Sequence, residues 1–266
     1  MADGSGDASG GAPDGLPGDG SAGAESLSGW DDTPIPTPDE ESLGAEGSSG
    51  ATGLTATDSE GSVTPAHATG GGGKADGLEG ARVFIDPGHG GNDWGTCYGL
   101  TYEKHVVLEI ALRLGERLAE GGLVPCLSRT EDVDVDYLKI ADMANERGCE
   151  LTLSIHINSM PGNPDYRGTE TLYSNGAGAG GSFTSKDLAS IVQSNVHAAM
   201  GSYDIGIIER EGLAVLRLAT IPTVIVELGF MTHEGDRGKL LSEEYRAMIV
   251  EALYDSVVEA LVRMRV

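Results

Sequence analysis

The chain has 266 residues and carries 42 Asp or Glu against 17 Lys or Arg, a formal charge of −25. Residues 1–80 hold 15 of the acidic residues against Lys74 alone, a balance of −14 that leaves −11 for the remainder. Such a chain lacks the cations that nucleic-acid phosphates require, and anionic membrane surfaces repel it. Its charge favours neutral or cationic partners and tolerates a bound divalent metal.

Residues 1–79 are rich in Gly, Ser, Ala, Asp, Glu, Pro and Thr, with almost no aromatic or branched apolar residues. They cannot bury enough surface to offset chain entropy, which predicts a disordered, extended, acidic linker. The apolar island at Trp30 and Ile35-Pro36 reads either as a weak docking motif or as incidental apolar residues in a solvated tail. The first residues, Met1-Ala2-Asp3-Gly4-Ser5, have neither a basic nor an apolar leader region. The expectation is a cytoplasmic protein or an export signal outside this sequence. No apolar run approaches the ~20 residues of a transmembrane helix.

From residue 80 the texture changes to alternating strands and helices. Val83 to Ile85 reads as a short buried strand, stopped by Asp86-Pro87-Gly88, after which His89 sits on a glycine-flanked loop. Tyr102 to Gly121 repeats apolar residues at helical spacing, namely Val106, Val107, Ile110, Ala111, Leu114 and Leu118. Leu123–Leu127 is a second strand, turned by Ser128-Arg129-Thr130. Asp134–Arg147 is a second helix, with Leu138, Ala141, Met143 and Ala144 as its apolar positions. Leu151–Ile157 and Thr169–Tyr173 are further strands, followed by a glycine-rich loop at 175–182 and a helix over Leu188–Met200. Leu213–Leu216 and Thr223–Glu227 read as strands, and Ser242–Met264 as a long closing helix. This alternation predicts an α/β domain over residues 80–266, a largely parallel twisted sheet with helices on both faces. Cys97, Cys126 and Cys149 are too few and too scattered for a disulfide framework or a Cys-x-x-Cys metal site. Buried free thiols are expected, with a Cys126–Cys149 bridge as the alternative.

His89, His156 and Glu227 each follow an apolar run at the C-terminal end of a predicted strand, the edge where open α/β sheets bind ligands. Glu103 opens the helix after the His89 loop and returns a carboxylate to that edge. Two imidazoles and a carboxylate are the ligand set of a hydrolytic zinc site, and a second carboxylate is then available as general base. Each residue also has a structural reading: helix-start charge for Glu103, a core histidine for His156, a strand-end ion pair for Glu227. His105, His197 and His233 read as surface or loop histidines, and His67 lies in the tail.

The ordered pieces Ile85-Asp86-Pro87-Gly88-His89-Gly90-Gly91, Glu103-Lys104, Ser154-Ile155-His156-Ile157-Asn158-Ser159 and Pro222-Thr223-Val224-Ile225-Val226-Glu227-Leu228-Gly229-Phe230 add specificity. With them the chain from about Arg82 onward resembles the family 3 N-acetylmuramoyl-L-alanine amidases, zinc enzymes of bacterial peptidoglycan. The resemblance implies one Zn2+ bound by His89, Glu103 and His156, with Glu227 catalytic. It implies zinc-activated water cleaving the amide between the lactyl group of N-acetylmuramic acid and L-alanine of the stem peptide. The departures are Ile140, where the family often has arginine, and Asp204-Ile205-Gly206, where it often has Asp-Arg-Gly. Asn158 and Arg217 are the candidate substrate contacts, and Trp94, Cys97 and Tyr98 form either an aromatic rim or simple loop packing. The short glycine-rich connection, with Phe183 its only apolar bulk, predicts a site that is open without an activator, and a monomer is expected. The expected place of action is extracellular, in the cell wall or periplasm. The competing readings are a catalytically silent relative that binds peptidoglycan fragments or regulates wall synthesis, and a zinc peptidase on a similar sheet.

Overall fold

The computed structural model describes residues 77–176 and 182–266. All but the last three residues of the expected linker lie outside that range, as does most of the glycine-rich loop. In chain order the elements begin with strand β1 (Arg82–Pro87), a hairpin of β2 (Cys97–Tyr98) and β3 (Thr101–Tyr102), and helix α1 (Glu103–Glu120). Strand β4 (Val124–Leu127), a 3-10 turn at Tyr137–Lys139, helix α2 (Ile140–Glu146) and strands β5 (Leu151–Asn158) and β6 (Thr169–Tyr173) follow. The chain closes with α3 (Ser185–Met200), β7 (Asp204–Glu209), α4 (Ala214–Arg217), β8 (Thr223–Phe230), α5 (Glu234–Leu241) and α6 (Glu243–Met264).

One six-stranded sheet carries the fold, in the order β4-β1-β5-β8-β6-β7. All neighbours are parallel except β6 and β8, so β6 and β7 run against the other four strands. The expectation of a largely parallel sheet holds, with this antiparallel seam added. Strand alternation divides the side chains between two faces. Val83 and Ile85, Leu153 and Ile155, and Val224, Val226 and Leu228 face the main core, beneath α1, α3 and α6. Leu78 is already buried there. Phe84 packs on the opposite face with Ile140, Ala144, Cys126 and Cys149, and Ile225 packs there with Leu172 and Leu216. The polar residues His156 and Glu227 alternate with those core positions, so they project on this second, thinner side.

Three expectations need correction. Leu213–Leu216 is not a strand: Ala214–Arg217 forms α4, whose Leu216 fills the second face. A four-residue apolar run has no period that could separate the two states. The second helix starts late, because Asp136 accepts a hydrogen bond from Leu138 N–H and caps the 3-10 turn instead. Leu138 is therefore exposed, and Ile140 takes the buried place expected of it. Finally, the sequence reading places no strand between α3 and α4, yet Asp204-Ile205-Gly206 opens the edge strand β7 there. All three cysteines are free thiols. Burial, reinforced by a hydrogen bond with Cys126, pushes the Cys149 thiol up to about 12. Among the described residues no helix is long and apolar enough to cross a membrane.

Candidate metal centre

Strand β1 ends in Pro87-Gly88, and the chain turns so sharply that His89 takes φ +61°, the left-handed region. It is the only non-glycine residue to do so among those described, and such local strain is typical of functional loops. Close approach explains the glycine before it: a Cβ at Gly88 would lie 2.2 Å from Cε1 of His156. The two imidazole rings stand edge to face with centroids 5.0 Å apart. Glu103, the first residue of α1, completes the group. One donor atom from each of His89, Glu103 and His156 lies within 4.8 Å of the others.

Each donor is held by a neighbour. His89 Nδ1 meets Asp93 at 2.8 Å, which turns Nε2 towards Glu103 at 3.2 Å. Carboxylate-backed histidine is the usual orientation device of metal sites. Glu103 is buried and accepts backbone N–H bonds from Ile157 on Oε1 and Thr96 on Oε2, both at 2.8 Å. The neighbouring Lys104 reaches Gly91 O and Asp132 and so ties down the His89 loop. Burial by itself would lower the His89 pKa, but its hydrogen bonds to Asp93 and Glu103 win and raise it to about 10. For Glu103, burial would raise the value, yet the hydrogen bonds from His156 and His89 lower it to about 2. Two histidines, one carboxylate and room between them suit zinc with an open position.

Glu227 lies beside this cluster, paired in register with His156 across β5 and β8. Its Oε2 is sealed from solvent and has no hydrogen-bond partner among the described residues. Burial raises its pKa to about 8, opposed by His156 and reinforced by Glu103 and Glu170. A divalent cation on the three donors would act against that rise. An orphaned, buried carboxyl group beside a metal-ligand set is poised to handle protons.

The structure brings His89, Glu103, His156 and Glu227 together. Asn158 stands nearby but spends its amide on Glu170, at 2.7 Å. Arg217 ends α4 and is exposed, and its guanidinium makes no hydrogen bond or ion pair among the described residues. Trp94 is exposed and stacks 5.1 Å from Tyr102, while Tyr98 lies under the Arg237 guanidinium. Cys97 is half-buried. His105 is exposed, and His233 caps α5 by accepting from Asp236 N–H, so neither belongs to the centre.

Sequence reasoning missed three residues. Arg129, read only as part of a turn, is buried and donates to the carbonyls of Pro87, Gly88 and Lys104. It clamps two of the three donor-bearing segments, the His89 loop and the start of α1. Asp86 accepts from the hydroxyls of Ser128 and Ser154, each at 2.7 Å, and so pins the end of β1 to its neighbours. Glu170 sits inside a strand otherwise free of charge, which was the one available signal.

The profile of a family described as N-acetylmuramoyl-L-alanine amidase matches residues 83–259. The chain is 32% identical over 183 residues to the protein YqiI of Bacillus subtilis, covering 69% of this chain and 86% of that one. It is 33% identical over 179 residues to the N-acetylmuramoyl-L-alanine amidase LytC of the same organism. That second alignment covers 67% of this chain but only 35% of LytC. Among solved structures, the N-acetylmuramoyl-L-alanine amidase of Clostridium difficile 630 superposes with a TM-score of 0.64 at 33% identity. The match covers 69% of this chain and 98% of that one. The catalytic domain of CwlV from Bacillus (Paenibacillus) polymyxa gives 0.63 at 28% identity, over 68% and 98% of the two chains.

Proposed function

The chain belongs to the N-acetylmuramoyl-L-alanine amidase family, and from that premise we propose that it is itself a zinc-dependent amidase of peptidoglycan. The bond cleaved is the amide between the lactyl group of N-acetylmuramic acid and L-alanine of the stem peptide. The observation that carries this reading is the unpartnered Oε2 of Glu227, set beside three converging metal donors.

His89, Glu103 and His156 would hold the ion. Bound there, zinc supplies a Lewis acid for the scissile carbonyl and lowers the pKa of water towards ~7. Glu227 accepts a proton from the attacking water and returns it to the departing nitrogen, as general base and then general acid. Asp93 keeps the His89 ring in one orientation, and Arg129 and Lys104 hold the loop that carries it. The buried backbone donors on Glu103 keep its carboxylate in place. Residues 80–266 form the catalytic domain, and the acidic segment before it serves as a linker. The site works at the cell wall as a monomer and without an activator; in support, Phe183 is buried in the main core rather than near the centre.

The test is digestion of a purified muramoyl-pentapeptide by zinc-loaded protein, read by mass spectrometry. Expected products are N-acetylmuramic acid and a free L-alanyl peptide, lost on chelation. Cleavage elsewhere in the stem would favour a peptidase. Absence of cleavage with zinc bound would favour a silent, peptidoglycan-binding relative. Near-zero basal turnover with strong stimulation by a partner would refute the activator-free reading.

A further inference from the structure

We propose that Glu170, held by Asn158, is the carboxylate that receives the leaving amine, binding the scissile N–H before cleavage and the product ammonium after it. The inference rests on the amidase reading and assigns a residue that the metal set and Glu227 leave unexplained.

Three strands place the side chains in a row. His156 on β5 is paired in register with Glu227 on β8, and Glu227 with Glu170 on β6. Directly opposed residues on one face have Cβ atoms ~5 Å apart, within contact. The order across the sheet is therefore metal donor, proton carrier, second carboxylate. The antiparallel seam creates this order by bringing β6 alongside β8.

Glu170 is a poor choice for stability. It is only 8% exposed and faces a like group across the strand pair, an arrangement that destabilises sheets. Burial pushes its pKa up, against the charge of Arg210 and the hydrogen bond from Asn158. No ion pair joins it to Arg210 or to any other cation among the described residues. Only Asn158 Nδ2 donates to it, on Oε1 at 2.7 Å. Asn158 is itself fixed, its Oδ1 accepting from Ser159 N–H at 2.7 Å. The β5–β8 register slips between His156 and Asn158. Such a bulge re-aims a side chain beside a site, here turning Asn158 onto Glu170. Two residues are thus spent on presenting one carboxylate next to the proton carrier.

The chemistry requires such a group there. With the carbonyl oxygen at the His89–Glu103–His156 centre, the scissile nitrogen lies on the far side of the carbonyl carbon, past Glu227. Water adds its oxygen to that carbon, and Glu227 takes one water proton and passes it to nitrogen. The C–N bond then breaks with its electron pair on nitrogen. The new carboxylic acid gives its proton to the released amine, which leaves a carboxylate and an ammonium. Glu170 accepts the N–H hydrogen bond at the start and pairs with the ammonium at the end.

The test uses binding, so it stands apart from turnover. The probe is the tripeptide L-alanyl-γ-D-glutamyl-L-alanine, whose only amine is its N-terminus, against its Nα-acetylated form, by calorimetry on the full zinc-loaded chain. Wild type should prefer the free amine at least tenfold. Glu170→Gln, which keeps an acceptor for Asn158, should erase the preference with zinc stoichiometry unchanged. Asn158→Ala should weaken it while leaving Glu170 in place. Equal binding of both peptides by wild type, or a preference that survives Glu170→Gln, overturns the proposal. In kinetics the Gln variant should lose kcat on the amide yet spare an ester analogue with L-lactate in place of L-alanine. An equal loss on both substrates overturns it too. A wild type that keeps the amine preference but cleaves nothing refutes the hydrolase reading, and with it Glu170 as receiver of a leaving amine. Loss of cleavage in Glu170→Gln alone, with the preference intact, refutes only the present proposal.

Discussion

Glu227 sets a conflict between stability and chemistry at the level of one residue. Its folded-state pKa is raised from 4.5 to about 8, so the folded protein holds that proton more tightly than the unfolded chain. Between those values the folded state binds more protons, and stability falls as pH rises through the window. Metal-free wild type should therefore melt lower at pH 8 than at pH 5, by on the order of a few kcal/mol in stability. Glu227→Gln should shrink that difference without removing it, because His89, raised to about 10, also holds its proton more tightly in the folded state over the upper part of the window. The variant should retain zinc and lose at least ~100-fold in kcat, a general-base loss. A Gln variant with wild-type turnover would sink the assigned role. Arg129 is the second residue with a defined consequence. Its fork reaches the carbonyls of Pro87, Gly88, Lys104 and Glu131, which a lysine ammonium cannot reproduce. Arg129→Lys should raise the zinc dissociation constant ~10–100-fold, the range seen for outer-shell losses. A zinc titration against a competing chelator reads it, and unchanged affinity would show that the clamp is dispensable.

Element ends decide how the site edge is held together. Asp236, in the first turn of α5, is buried and accepts from Gly168 N–H and Phe230 N–H. It thereby joins the end of β8 to the start of β6, the pair of strands that presents Glu227 and Glu170. Asp236→Ala leaves two backbone donors unsatisfied, at about 1–3 kcal/mol each before relaxation. Urea unfolding should show a fall in midpoint with little change in slope. Helix α3 is started by a reciprocal pair, Thr184 hydroxyl with Asp187 N–H and Asp187 carboxylate with Thr184 N–H. That capping box lies far from the donors and bears on the core alone. The contrast separates ends that serve the fold from ends that serve the site.

For the molecule as a whole, metal binding at the proposed centre would be linked to folding. The donors are contributed by the β1 loop, α1 and β5, so an ion that bridges them binds the folded state in preference to the unfolded chain. Zinc at 100 times its dissociation constant should add ~2.7 kcal/mol of stability. Chelation should reverse both the rise in Tm and the activity. A Tm indifferent to zinc would mean that the three donors do not hold it. The strong negative charge of the chain adds long-range attraction for the cation, so the association rate should fall as salt rises.

The amino-acid sequence alone determined the family and where the candidate donors and the candidate general base lie along the chain. Apolar runs that stop at Asp86-Pro87-Gly88, at His156 and at Glu227 are local patterns, and a parallel sheet gathers their ends at one edge whatever the details of packing. The ordered motifs built on them were enough to name the family. Only the tertiary structure decided what surrounds those residues. Glu170 faces Glu227 because β6 pairs antiparallel with β8, a register fixed by contacts 50 to 60 residues apart that no local period encodes. Arg129 reaches the carbonyls of Pro87 and Gly88 because β4 lies beside β1, which turns a residue read as part of a turn into a clamp. The run Leu213–Leu216 became helix because a thin second face needed Leu216 on it, and four residues carry no period of their own. Chemistry confined to strand ends is local in sequence, whereas positioning is a property of neighbours, and neighbours are assigned only by folding.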